Sequence, residues 1–593
     1  MGTRIEDYAL VSNARTAALI SRTGEIDWWC APRFDSASIF GALLGGEDQG
    51  RWSLRPTDPD AVVTRRYDGD TFVLVTRWTT PQGVAEVIDA LPIGPDTTLI
   101  RRIRGVSGSV GFRTEVRFRF DYARAVPWVS QVGTANEPAL RALAGPDAVE
   151  LRGLRLHGDD HRHVAEFTVG EGETHDLTAV WWPSHQNRPG TVDAERELET
   201  TRRWWQDWAD HIRQEGHHIA GVVRSLLVLR ALTDRATGGI VAAATTSLPE
   251  AIGGSRNWDY RYVWLRDAAL TLEVLISHGF VSIAHHWRDW LLRAVAGDPA
   301  QVQIMYGAGG ERDLAERELT SLPGYEGSVP VRIGNGAVEQ YQGDVLGEVL
   351  MALEAARVAG LRETKTSWAL QRALLEEVIA RMDQPDQGMW EMRGGPRMFT
   401  HSRVMIWAAL DTAVRAVGEH RLPGDAEHWA RLRDAMRAEI EASGYDAQRG
   451  HFVQYYDSTH VDAALLLLPQ VGFCAPDDPR MLGTVAEIER QLMRDGFVMR
   501  YRSDDGVGGG ENPFLACSLW LVEQYAMSGR LDDAHRLMDL VDGAANDVGL
   551  LSEEFDPVAR RQTGNTPQAF SHLAFVRAAD ALAGHGGRGV HRR

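Results

Sequence analysis

The feature that most constrains this chain is a change of period near residue 216. After Gly216, helical patterns follow one another near 220–235, 265–279, 281–295, 344–360, 367–382, 402–419, 425–441, 460–468, 480–494, 513–528, 531–542 and 569–583. Asp425 and Asp478-Pro479 read as N-terminal caps, and Gly360, Gly444, Gly496 and Gly529 as stops. Twelve helices in sequential hairpins close as six inner and six outer, an (α/α)6 barrel. A solenoid would show a fixed repeat, and no sequence motif recurs here.

Residues 1 to about 185 have a different texture. Short β-branched or alternating runs recur at Ala17–Ile20, Ile26–Cys30, Ala61–Arg66, Thr71–Trp78, Val84–Ile88, Arg113–Phe120, His163–Val169 and Leu177–Trp182, separated by turn residues such as Asp68-Gly69-Asp70. Val116, Phe118 and Phe120 alternate with Arg117 and Arg119, which predicts a strand with one wet face. The expected architecture is a multidomain β + α chain. An N-terminal antiparallel β-sandwich of unusual size spans 1–190. A linker helix over 191–215 carries Trp204, Trp205 and Trp208 at helical spacing, the barrel spans 216–585, and 586–593 form a flexible tail.

At 593 residues the chain is too long for one ordinary core. A net charge of −19 argues against nucleic acid or an anionic membrane as partner and suits a small neutral molecule. Cys30, Cys474 and Cys517 lie too far apart for a disulfide framework and lack metal-ligand spacing. With no apolar signal core at the N-terminus and no run of 18 apolar residues, a cytoplasmic protein is expected, as monomer or homo-oligomer. Several of the 19 tryptophans adjoin charged residues, among them Trp258, Trp264 and Trp390. Indole faces stack on sugar rings, although core filling must account for most of them.

Chemistry concentrates in five stretches. Two adjacent glutamates, Glu553 and Glu554, stand between the apolar Val548–Leu551 and Phe555, and a turn at Gly564–Pro567 leads into a helix ending the segment at His572. Arg256 to Asp267 alternates aromatic, Arg and Asp residues just before a helix, a pattern that can grip vicinal hydroxyls while Trp offers a stacking face. A long loop, 311–342, carries Glu311, Arg312, Glu316, Glu318, Glu326 and Arg332, which spacing does not rank. In 387–395, Glu391 lies between Trp390 and Met392, flanks that can raise a carboxyl pKa. Gly508–Phe514 offers a close backbone approach beside Glu511. Phosphate-loop, dinucleotide, zinc-protease and serine-hydrolase motifs are absent. Two well-separated glutamates with aromatics and Arg/Asp clusters suit glycoside hydrolysis, in which one carboxyl protonates the leaving oxygen and the other activates water or attacks carbon.

Arg256–Asp267, Gly388–Arg393 and Ser552–Asp556 with Gly564–His572, together with Asp27-Trp28-Trp29-Cys30-Ala31-Pro32-Arg33-Phe34-Asp35 and Val331–Ala337, resemble glycoside hydrolase family 15, which contains glucoamylases and bacterial trehalases. The resemblance covers nearly the whole chain. It implies a β super-sandwich packed on an (α/α)6 barrel, with Glu391 as general acid and Glu553 as general base. It also implies that Arg266 and Asp267 hold the non-reducing glucose, beside Trp258 and Trp264, without metal or cofactor. Trp390, Arg332 and Glu511 complete the expected substrate-binding set. Inversion calls for carboxyls roughly 6.5–9.5 Å apart. The expected activity is an inverting, exo-acting α-glucosidase on small α-glucosides, trehalose first, with isomaltose or malto- and isomalto-oligosaccharides as the alternative. A phosphorylase would lack the second glutamate. A non-catalytic sugar-binding protein is the rival from another class.

Overall fold

The computed structural model describes residues 2–212, 216–297 and 299–584. The expected tail at 586–593 and the last residues of the expected linker, 213–215, lie outside them.

The N-terminal third builds a 15-stranded antiparallel sheet system folded into two layers. The strand Thr97–Arg117 belongs to both. Its first half pairs with Gly83–Ala90 and Thr174–Pro183, and its second half with Arg51–Pro56 and Arg162–Gly170. The expected strand at Arg113–Phe120 is therefore the tail of a longer one that stops at Arg117. Val116, Phe118 and Phe120 are buried as the alternation required. The opposite face is not wet, because Arg117 is buried and ion-paired with Asp48. Strands without alternation escaped the pattern. Tyr8–Ser12 is buried at every position and reads as a plain apolar run.

Helix α1 (Ala194–Ala209) bridges the two parts. Asp193 caps it, accepting from the Arg196 backbone N–H. Ala194 and Leu198 pack on Val73, Val75 and Ile88 of the sheet, while Trp208 stacks on Phe280 of the helical part with ring centroids 4.1 Å apart. Trp204, Trp205 and Trp208 thus fill the junction.

The helical part comprises α2 (Ile219–Ala231), α3 (Leu265–Ser277), α4 (Val281–Ala294), α5 (Val345–Val358), α6 (Lys365–Arg381), α7 (Thr400–Gly418), α8 (Ala426–Ser443), a 3-10 helix at Ala463–Leu467, α9 (Pro479–Leu492), α10 (Leu515–Met527), α11 (Leu531–Asp542) and α12 (Ala569–Leu582). The order of contacts closes a ring: α3 on α5, α5 on α7, α7 on the 3-10 helix, that helix on α10, α10 on α12, and α12 back on α3. The other six lie outside, making an (α/α)6 barrel. Inner helices such as α5 are apolar almost all round, and outer ones such as α11 carry a single stripe. The α-helix expected at 460–468 is the shorter 3-10 helix Ala463–Leu467, buried at every position.

Sandwich and barrel are joined through Arg261, whose side chain is fully buried. Its guanidinium pairs with Asp259 at 2.7 Å and donates to the Ser36 carbonyl at 2.8 Å and the Tyr122 hydroxyl at 2.9 Å, both from the sandwich. Trp28 lies under it and sends its own indole N–H to the Ala244 carbonyl at 3.0 Å. The Asp27–Asp35 segment therefore contributes Trp28 to the junction, while Trp29 packs on Phe40 within the sandwich. Replacing Arg261 by Met strands the Asp259 charge in the interior. We expect a loss of about 3–5 kcal/mol in urea unfolding, partly recovered when Asp259→Leu is added.

Candidate active site

A cavity opens at the end of the barrel where the N-termini of α3, α10 and α12 converge. Trp258, Trp264, Arg266, Asp267, Trp390, Glu391 and Glu553 all line it. Of the expected site residues, Arg332 and Glu511 do not line it. Arg332 lies over the Trp258 ring, 4.5 Å from its centroid, and Glu511 pairs with Arg500. Both sit one layer back because each is drawn to an opposite charge or a π-face, which residue type alone does not reveal.

Glu553 is placed by the segment that follows it. Glu554–Asp556 pairs with Arg561–Thr563, and Gly564 turns the chain at φ +74° so closely over Glu553 that a Cβ there would stand 2.6 Å from the glutamate's own Cβ. Beyond the turn, α12 starts with Gln568 as its cap. From α12, His572 accepts the Leu551 N–H at Nε2 (3.1 Å), and burial pushes its pKa down to about 3. The neutral ring thereby fixes the approach to Ser552 and Glu553. The Glu553 carboxyl accepts from the Tyr260 hydroxyl at 2.7 Å and from the Asn565 N–H at 3.4 Å.

Glu391 is held from the other side. Its φ is +59°, an uncommon backbone state for a residue with a side chain, and it presents the carboxyl to the cavity. The Trp264 indole donates to Oε1 at 2.6 Å, with an Arg266 nitrogen 3.6 Å from the same oxygen. The preceding Trp390 donates to Asp462 at 2.9 Å and packs among Tyr501, Phe514 and Trp520. Tyr260 and Trp264 belong to one short segment, with ring centroids 5.5 Å apart. Each carboxylate is thus tied by one oxygen to one ring of the same pair.

Arg266 and Asp267 begin α3. Arg266 donates to Gln342 at 2.9 Å and faces Asp344 at 3.4 Å. Burial pushes Asp267 up to about 6, Arg266 opposes the shift, and Glu391 adds to it. Both side chains are nearly enclosed, so they form the floor of the cavity.

Three residues that the sequence reading did not single out shape the wall. Glu250 accepts from Arg500 at 2.7 Å and from the Trp258 indole at 3.0 Å. Tyr260 holds Glu553, and Arg500 lies among Glu250, Glu511 and Glu554. Glu250 and Arg500 gave no signal because they stand in stretches without a pattern, and only folding brings them together. Of the unranked acids, Glu311 pairs with Arg33, Glu326 with Arg561, and Glu316 with both Arg332 and Arg393. Glu318 lies exposed in the strand Arg317–Leu319. The long loop 311–342 is thus organised around ion pairs.

Oxygens of Glu250, Glu553 and Glu554 lie within 4.8 Å of one another, all buried. Burial raises all three pKa values, the carboxyls raise one another's, and Arg500 opposes the shift. Glu553 is pushed up to about 8. Glu554 accepts one backbone N–H, from Asn512, and Arg500 stands 3.4 Å from its Oε1.

A closed helical barrel with paired acids, arginines and indoles at one end defines an enzyme acting on glycosidic bonds. Residues 216–580 match the family model "Glycosyl hydrolases family 15", and residues 1–160 match "Trehalase-like, N-terminal". The chain belongs to glycosyl hydrolases family 15, and it is a glycoside hydrolase. A trehalase of Mycobacterium tuberculosis is 35% identical over 97% of this chain and 89% of its own length. A trehalase of Thermoplasma volcanium is 32% identical over 98% and 93%. A bacterial glucoamylase solved with acarbose shares the fold with a TM-score of 0.74 at 14% identity, covering 98% of this chain and 94% of its own.

Burial pushes Asp462, which anchors Trp390, up to about 7 from an ordinary 3.8. Below pH 4 the carboxyl is neutral in both folded and unfolded chains. Between pH 4 and 7 the folded state resists its ionisation, so wild-type stability from this group falls as pH rises. Asp462→Asn has no such term. Its cost relative to wild type should shrink between pH 4.5 and 7 by up to roughly 3 kcal/mol in denaturant titrations.

Proposed function

We propose that the enzyme hydrolyses α,α-trehalose with inversion of configuration. Glu391 protonates the glycosidic oxygen, and Glu553 activates the attacking water. The observation that carries this reading is the Tyr260–Trp264 pair, which holds one oxygen of each of the two carboxyls that line the same cavity. In the reaction the proton of Glu391 passes to the bridging oxygen as the C1–O bond breaks. Water adds to C1 from the opposite face and gives its proton to Glu553, and solvent exchange then resets both groups. The products are one β-glucose and one glucose. Tyr260, Asn565 and Arg500 favour the charged form of Glu553 against the burial that raises its pKa. The enclosed carboxylates also stabilise the cationic character that develops at C1.

A short substrate is favoured by the cavity mouth. Asp505 knots three loops: its carboxylate accepts from Arg256 and Tyr501, and its carbonyl accepts from the Arg393 and Gly394 N–H groups at 2.8 and 2.9 Å. The Ser255 hydroxyl reaches across to the Gly508 carbonyl. Trehalose itself is supported by the relatives named trehalases. Isomaltose is the second reading, favoured by an isomaltose glucohydrolase of Kribbella flavida, 27% identical over 54% of this chain. A cytoplasmic site of action suits three free, buried cysteines.

Proton NMR of fresh reactions should show β-glucose first from trehalose and slower release, if any, from isomaltose and maltotriose. Initial α-glucose alone would remove the water-activating role from Glu553. Glu391→Gln should lower kcat by roughly three orders of magnitude or more while substrate binding persists, as read by calorimetry.

A further inference from the structure

The cavity must seat two sugar rings, and the three tryptophans that line it are not equivalent. Trp264 spends its indole N–H on Glu391, and its ring packs against Tyr260. Trp390 spends its own on Asp462 and lies in an aromatic cluster. Trp258 is half-buried, and among the described residues its ring pairs with no other aromatic ring. Its neighbours are cations instead, Arg332 at 4.5 Å and Arg393 at 4.3 Å from the centroid. Glu316 bridges those two arginines, and Arg332 is pinned further by the Ser255 and Asn257 carbonyls. The Trp258 N–H is committed to Glu250, and its carbonyl accepts from Asn565. The indole N–H and the backbone are committed, two guanidiniums lie over the ring, and the part of the ring they leave exposed lines the cavity.

Its position decides which sugar that face meets. In the proposed reaction the ring to be cleaved would lie over Arg266 and Asp267, and the leaving ring beyond the oxygen that Glu391 protonates. Arg393, two residues from Glu391, lies over Trp258, and both line the cavity. We propose that Trp258 is the platform for the leaving sugar, with the Arg332–Arg393–Glu316 group holding the indole in place, so that it sets which disaccharides are cleaved. This rests on the disaccharide hydrolase reading above. Stacking needs an apolar C–H face on the leaving ring, which a glucose joined through C1 presents.

The test compares trehalose with α-glucosyl fluoride, whose leaving group is a single atom and has no ring to stack. Trp258→Ala should reduce kcat/KM for trehalose roughly tenfold or more beyond any loss on the fluoride, because an effect passed through Glu250 is shared by both substrates. Trp258→Phe, which keeps a ring but not the N–H, should recover most of the trehalose activity. Equal losses on both substrates, or no loss on either, would overturn the proposal. If the alanine variant does not fold, the phenylalanine variant decides: an equal loss on both substrates sinks the platform. If wild type cleaves the fluoride and isomaltose but not trehalose, the trehalose reading fails by itself. The platform is then judged by the same ratio with isomaltose.

Discussion

A full positive charge buried between two folding units is the constraint on which this structure turns. Arg261 cannot leave its site without stranding Asp259, and it cannot stay there without the Ser36 carbonyl and the Tyr122 hydroxyl of the sandwich. Burying ions costs several kcal/mol each, so every remaining donor has to find a partner. The guanidinium meets this with the carboxylate, two sandwich oxygens, and the ring faces of Trp28 and Tyr122. Its immediate neighbour is Tyr260, and Trp264 follows three residues later. The residues that hold the two candidate catalytic carboxyls are thus anchored through the sandwich as well as the barrel. This gives the N-terminal domain a role in the chemistry although it lends no side chain to the cavity.

The second organising term is electrostatic. Glu250, Glu511, Glu553 and Glu554 crowd around Arg500, with Arg256 beside them. Ordinary cores avoid such an excess of acids. Here the excess does two things. It raises the pKa of the crowded carboxyls, and in the proposed reaction it would put negative potential where positive charge develops. The arginines keep the excess tolerable by pairing with it.

Much of this was legible in the sequence, for identifiable reasons. Helices show by period and by caps, so the barrel could be counted from Asp425, Asp478 and the stop glycines. Glu391 and the Glu553-Glu554 pair stood out through their apolar flanks, and the family resemblance chose Glu553 of the two. Strands buried on both faces, such as Tyr8–Ser12, carry no alternation and were passed over. Glu250 and Arg500 are 250 residues apart and have no local signature, so their pairing exists only in the folded chain. Arg332 and Glu511 illustrate the converse. Their residue types suit sugar binding, but each is consumed by a neighbour, Arg332 by backbone carbonyls and the Trp258 ring, Glu511 by Arg500.

The direction of the inner helices explains why the cavity lies at this end of the barrel. Leu265, Leu515 and Ala569 begin α3, α10 and α12, and the residues at these starts, Arg266, Asp267, Phe514, Gln568 and Phe570, all line it. Helix N-termini present unpaired N–H groups and partial positive charge, which favours carboxylates over any other charged side chain. Asp267 sits in the first turn of α3, where that field offsets part of the cost of its burial. At the opposite end the same helices present carbonyls, and a cluster of buried acids there would be opposed by every dipole in the ring. The acid-rich chemistry and the polarity of the barrel are therefore one constraint: a site that works with several enclosed carboxyls has to be built where the inner helices begin.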